Sequence, residues 1–136
     1  MMMELHATPQ EVMRGVEALQ EFARAAGVPE KVIFSLALAL EECASNVVNH
    51  AYQCDAEQTL HVTLQHLGHS FVIELRDRGP AFDPLQTAAP NFEADLEERE
   101  IGGLGIALAR HYLDDLHYSR VHDENVLRLT KLLPSA

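Results

Sequence analysis

The stretch LEECASNVVNHAY, residues 40–52, decides how the rest of the chain is read. A 3.6-residue period runs through it and back to about Pro29, placing Val32, Ile33, Leu36, Leu40, Cys43, Ala44 and Val47 on one side of a long helix. On the other side Glu42, Asn46 and Asn49 follow one another at spacings of four and three residues, so they share a face, with His50 beside them. A solvated stripe on an amphipathic helix accounts for Glu41. It accounts less well for two asparagines, because Asn is a mediocre helix former and a solvent face gains more from Lys, Glu or Gln. A carboxylate and an amide oxygen on adjacent turns can instead hold Mg²⁺ or orient a hydroxyl. The stretch alone leaves both explanations open.

Outward from this helix the chain reads as successive elements without an internal repeat. Upstream, Thr8 followed by Pro9, with Glu11 at the third position, resembles a capped helix start, and Val12, Val16, Leu19, Phe22 and Ala23 carry an apolar stripe to Gly27. The preceding MMMELHA is expected to form a short edge strand. Downstream, LHVTLQHL (60–67) and SFVIELRD (70–77) alternate in character around Gly68 and His69, which predicts a β-hairpin ending on Asp77. Periodicity then disappears between Gly79 and Gly103, where Pro80, Pro84, Pro90 and the acidic run EADLEERE stand. A loop of that length is usually functional or disordered. Leu104 to Leu113 returns to helical spacing, and HYSRVH and NVLRLTKLL read as two closing strands around a turn at Asp123 to Asn125. The order (β)ααββ, long loop, αββ predicts an α+β two-layer sandwich.

Bulk properties set outer bounds. The 136 residues fit one domain spanning 1–136, and the apolar share (47%) and charged share (23%) are ordinary for a globular protein. No run approaches the roughly 18 consecutive apolar residues of a membrane span. MMMELHATP lacks the basic start and apolar middle of a signal peptide, so a cytoplasmic protein is expected, without a membrane partner. The net charge of -11 argues against nucleic acid, whose phosphates require clustered Lys and Arg. Cys43 and Cys54 lack metal-ligand spacing and read as reduced thiols.

Two further stretches carry chemistry. In RDRGPAFDP, residues 76–84, a strand ends in an acidic residue and Gly79 allows close backbone approach, although a simple turn has the same form. In GGLGIALAR, residues 102–110, three glycines lead into a helix whose first amide groups are free, an arrangement that favours anions but also suits a plain hinge. The latter is neither a Walker A loop, since no Gly-Lys-Ser/Thr follows, nor a dinucleotide fingerprint, since no strand leads directly into it.

Together, E-x-x-x-N on a helix, D-x-G-x-x-F-D-P after a hairpin strand and G-G-x-G opening a helix resemble the N, G1 and G2 boxes of the GHKL ATPase superfamily. The resemblance is closest to the anti-sigma-factor serine kinases, the RsbW-like and SpoIIAB-like switch proteins, and covers nearly the whole chain. It implies a GHKL (Bergerat) sandwich: a mixed, mostly antiparallel sheet, three helices on one face and a long ATP lid at residues 80–101. It further implies ATP and Mg²⁺ as cofactors and a protein-serine kinase of a partner-switching module. Such a kinase phosphorylates a STAS-domain anti-anti-sigma protein, sequesters a sigma factor or similar regulator, and commonly forms a homodimer. By the same resemblance Glu42 is the general base, Asn46 holds Mg²⁺ through its amide oxygen, and Asn49 and His50 lie near the phosphates. Asp77 accepts a hydrogen bond from the adenine amino group, and Gly79 lets the base slide against the strand end. Gly103 and Gly105 cradle the phosphates with the Leu104 to Leu108 amides as donors, and Phe82, Gly102, Leu104 and Ile106 also count among the ATP-binding residues.

The chain departs from the family pattern at two points. Ile101 stands where some relatives carry a basic residue before the G2 glycines, and the nearest cation is Arg99. Glu124-Asn125-Val126 stands where relatives often place a Gly-Thr pair supporting the adenine aspartate, leaving Asn125 as the substitute to test. Two competing functions share the boxes. An ATP-gated binding module without turnover has no need of Glu42, and a histidine-kinase ATP-binding domain is expected to follow a helical hairpin bearing a phospho-accepting His.

Overall fold

A computed structural model of the chain describes residues 1–52, 55–86 and 104–134. Its strands are β1 (Met2–His6), β2 (Thr59–His66), β3 (Ser70–Asp77), β4 (Asp115–Val121) and β5 (Glu124–Leu132). The α-helices are α1 (Pro9–Ala25), α2 (Glu30–Asn46) and α3 (Leu104–Tyr112). The strands form one open sheet in the order β1-β2-β3-β5-β4.

The two layers follow from the alternation in the strands. Leu60, Val62 and Leu64 of β2, Phe71, Ile73 and Leu75 of β3, and Leu127 and Leu129 of β5 are buried. They form one core with Leu19 of α1, Leu36 and Leu40 of α2 and Ala109 of α3. The opposite face is polar: Glu74 bonds Arg76 on its own strand (2.8 Å) and Arg128 across on β5 (3.2 Å). Among the described residues, helical residues 30–50 are long and apolar enough to cross a membrane by length and composition alone. That apolarity belongs to a helix wedged between α1 and α3, which buries Val32, Ile33, Leu36, Leu40, Cys43 and Ala44.

Every strand pair is antiparallel, so the sheet is not mixed as expected. The reason lies in the crossover through α3, which returns the chain parallel to β3 but one position too far out. β5 then folds back into the gap, so β3 and β4 run parallel without touching. This insertion sets Asn125 directly opposite Asp77 and Leu127 opposite Leu75. The β4–β5 turn also differs from expectation: His122 (φ 47°) and Asp123 (φ 64°) form it, and Asn125 lies in the strand. Two left-handed residues match the twist of a tight hairpin, and His and Asp are among the side chains that tolerate that conformation.

The start of α1 is built as the sequence indicates. Thr8 caps it, its hydroxyl oxygen accepting from the Glu11 amide (3.2 Å), and Pro9 occupies the first turn. Gly27, at φ +81°, follows its end. Thr8→Ala is expected to cost about 1 kcal/mol, read as a lower denaturant midpoint at unchanged slope.

Candidate functional site

The polar helix face, the end of β3 and the closing hairpin meet at one end of the sheet. Cys43, Asn46 and Val47 of the helix, Asp77, Phe82 and Pro84 from β3 and its following loop, and Tyr118, Asn125 and Leu127 of the hairpin line a common cleft. Its walls are mostly apolar, with the polar groups of Asn46, Asp77, Asn125 and Tyr118 converging on it, the usual composition of a small-molecule site. Cys43 contributes only packing, because burial pushes its thiol up to about 12.

Asp77 is the buried charge of this cleft, 5% exposed. Its Oδ1 accepts from the Gly79 amide (2.9 Å) and from Asn125 Nδ2 (2.9 Å), while Oδ2 takes no donor from the described residues. Burial raises its pKa, opposed by the two hydrogen bonds and by Arg120. Burial, the larger effect, disfavours the charged form and the partners favour it, while Oδ2 remains for a ligand donor.

The chain leaving β3 is fastened by side chains from three other elements. Asn125 Nδ2 also donates to the Pro80 carbonyl (2.9 Å), and its Oδ1 accepts from the Phe82 amide (3.2 Å) and the Tyr118 hydroxyl. Arg120 donates to the Gly79 carbonyl (2.8 Å), and Arg110 of α3 to the Leu85 carbonyl (3.0 Å). Both arginines are thus occupied with loop carbonyls. Tyr52 completes the fastening: its hydroxyl accepts from the Arg78 amide (2.7 Å) and donates to the Thr59 carbonyl (2.8 Å). Tyr52→Phe removes both bonds from a buried ring and is expected to cost about 1–3 kcal/mol, measured by urea denaturation; an unchanged midpoint would show the hydroxyl to be dispensable.

The helix is not α-helical to its end. After Asn46 it widens into a π-helical turn, Val47–Ala51, closed by the Tyr52 amide on the Val47 carbonyl (2.9 Å). Such turns favour functional sites because they re-aim side chains. Here the widening separates residues that α-helical spacing places together. Asn46 lines the cleft, whereas Asn49 and His50 are exposed, with the His50 ring stacked over Phe82 (centroids 6.3 Å apart, planes at 23°). Glu42 sits one turn before Asn46, half-buried, and its pKa is raised by burial and then by the neighbouring Glu41. Cys54, Arg99, Ile101, Gly102 and Gly103 lie outside the described residues. Leu104 and Gly105 open α3, and Ile106 is buried in the core, so it has only its backbone to offer a ligand.

Sequence reasoning singled out Asp77, Asn46 and Phe82, which the fold brings together. It missed Tyr118 and Arg120, which lack a motif; the only available signal is alternation on β4, which turns both toward the helices once Tyr118 pairs with Leu127 and Arg120 with Asn125. Asn125, the substitute for the Gly-Thr pair, does support Asp77.

The sequence profile of the histidine kinase-like ATPase domain matches residues 5–131. The serine/threonine-protein kinase BtrW of Bordetella bronchiseptica is 33% identical over 97 residues, covering 71% of this chain and 68% of that protein. The serine-protein kinase RsbW of Listeria monocytogenes is 31% identical over 131 residues, covering 91% of this chain and 80% of its own. Among solved structures, the SiaB–SiaC complex from Pseudomonas aeruginosa shares the fold at a TM-score of 0.72 and 16% identity, over 96% of this chain and 88% of that one.

Proposed function

The chain belongs to the histidine kinase-like ATPase domain family, and from that premise we propose that it is an ATP-dependent protein-serine kinase of a partner-switching module. Its substrate is a STAS-domain anti-anti-sigma protein, and its alternate partner is a sigma factor or similar regulator. Both meet it in the cytoplasm as a homodimer, each chain a single kinase domain. One observation carries the nucleotide assignment: Asp77 spends Oδ1 on Asn125 and Gly79 and keeps Oδ2 without a described donor in an apolar-walled cleft. That oxygen suits the amino group of adenine, while the apolar walls suit its ring.

The remaining roles follow along the helix. Asn46 reaches the same cleft with a neutral amide oxygen, which fits a Mg²⁺ held mainly by phosphate oxygens and one or two protein groups. No cluster of three or more His, Cys, Asp or Glu side chains exists among the described residues to hold a metal without phosphate. When bound, Mg²⁺ neutralises charge on the phosphates. Glu42 takes the proton of the substrate serine as that oxygen bonds the γ-phosphorus and the bond to the β-bridging oxygen breaks, releasing ADP. The phosphates lie toward the start of α3, where the helix offers unpaired amides; Asn49 and His50 stand at the outer rim.

The test is to incubate the chain with γ-labelled ATP, Mg²⁺ and a STAS-domain protein, and to map the label. Phosphoserine on the partner is the expected product. Tight ATP and partner binding with no phosphoserine over hours would replace the kinase with a binding module.

A further inference from the structure

Asn125 does more than steady Asp77. It is 4% exposed and all four of its hydrogen-bonding positions are used: two amide hydrogens on Asp77 Oδ1 and the Pro80 carbonyl, and two lone pairs on the Phe82 amide and the Tyr118 hydroxyl. The donors and acceptors admit only one orientation, since a flipped amide would place its oxygen against a carboxylate and a carbonyl. One side of this residue thus holds the group that selects the base. The other holds the backbone of the loop that leaves β3, at the residue whose ring faces both the cleft and His50.

We infer that Asn125 is a positioning residue that couples recognition of the nucleotide base to the placement of the loop following β3, through Asp77 on one side and Phe82 on the other. This rests on the assignment of the cleft to ATP. A 6-amino purine donates to Asp77 Oδ2 and fixes the carboxylate; Oδ1 then fixes the Asn125 amide, and its Oδ1 fixes the Phe82 amide. Hydrogen bonds in such a chain strengthen one another where water is excluded. A 6-oxo purine presents an acceptor to Asp77 and cannot start the chain. A hydroxyl side chain at position 125 can donate to Asp77 but is too short to span Pro80 and Phe82 as well, so it separates the two halves of the coupling.

Amide hydrogen exchange on the full chain tests this. In the unmodified protein, saturating ATP is expected to slow exchange of the Phe82 amide about tenfold or more, the effect of firming one buried bond, whereas GTP at equal concentration leaves it unchanged. Asn125→Thr, at ATP concentrations that saturate the variant, should lose the slowing at Phe82, because no side-chain acceptor reaches that amide. A Phe82 amide indifferent to bound ATP in the unmodified chain, or the full response surviving in Asn125→Thr, would overturn the coupling. The comparison within the unmodified chain does not depend on the variant folding. Absence of ATP binding at millimolar concentration would instead remove the kinase assignment itself, a result readily told apart from normal binding with an unresponsive Phe82.

Discussion

Glu42→Gln abolishes phosphate transfer, lowering the single-turnover rate about 10²–10⁴-fold, the usual contribution of a positioned base, while ATP affinity stays within a few-fold. The variant keeps the shape and removes only the basic oxygen, so packing changes do not explain the loss. Glu42 suits the task because it is half-buried: burial, and secondarily the charge of Glu41, raise its pKa above 4.5. A more basic carboxylate takes a proton more readily, provided it is ionised when substrate arrives. The rate therefore rises with pH through this elevated value and then levels, placing the acid limb above the ordinary glutamate range. Glu41→Gln should lower the position of that limb without removing transfer. Near-normal transfer by Glu42→Gln, measured by quenched-flow phosphorylation of the STAS-domain substrate, would assign the base to another residue.

Asp77→Asn strikes binding instead of chemistry. The Gly79 amide and Asn125 Nδ2 both donate to Oδ1, so an asparagine at 77 must keep its oxygen there. Its amide nitrogen then takes the place of Oδ2 and points hydrogens at the adenine amino group, donor against donor. Loss of a charge-assisted bond, replaced by a mismatch, weakens ATP by about 1.5–3 kcal/mol, roughly 10–150-fold in Kd. GTP gains in relative terms, because its O6 accepts what the new amide donates. Calorimetric titration with both nucleotides gives the ratio directly, and an unaltered ATP preference would remove Asp77 from base recognition.

Stability moves the other way. The folded-state pKa of Asp77 is raised, mainly by burial, so its favourable contribution is present below the unfolded value and lost as pH rises through the folded one. At neutral pH the ionised group opposes folding. The asparagine variant should thus melt no lower than the parent at pH 7, and any gain should shrink in acid.

Much of this was legible from residues alone, and the exceptions have physical causes. Alternation in 60–67 and 70–77 and the capping signal at Thr8 are local, and β2, β3 and α1 form where they place them. The joint presence of Asn46 and Asp77 in one cleft was readable because three motifs in order specify a topology. The π-helical turn was not, since winding at Val47–Ala51 depends on where Tyr52 must anchor, between the start of β2 and the end of β3. Asn46 accordingly lines the cleft, while Asn49, within the π-helical turn, is exposed. The mixed sheet was expected from the family resemblance alone; only tertiary pairing reveals that β5 fills the gap between β3 and β4. The same insertion gives Asn125 its importance, through a register that no local pattern encodes.

That insertion also sets when the site comes into being. Asp77 and Asn125 are 48 positions apart, and the strand that brings them together is the last of the described sheet. During synthesis the chain emerges from its amino end, so the helix with Glu42 and Asn46 and the hairpin with Asp77 are exposed to solvent well before Asn125 leaves the ribosome. Until then Asp77 has the Gly79 amide but not the Asn125 donor, and Pro80 and Phe82 lack their side-chain partner, so a chain ending before β5 carries Glu42 and Asp77 without the bonds that fasten the cleft. The cleft is thereby completed only when the last described strand pairs with β3.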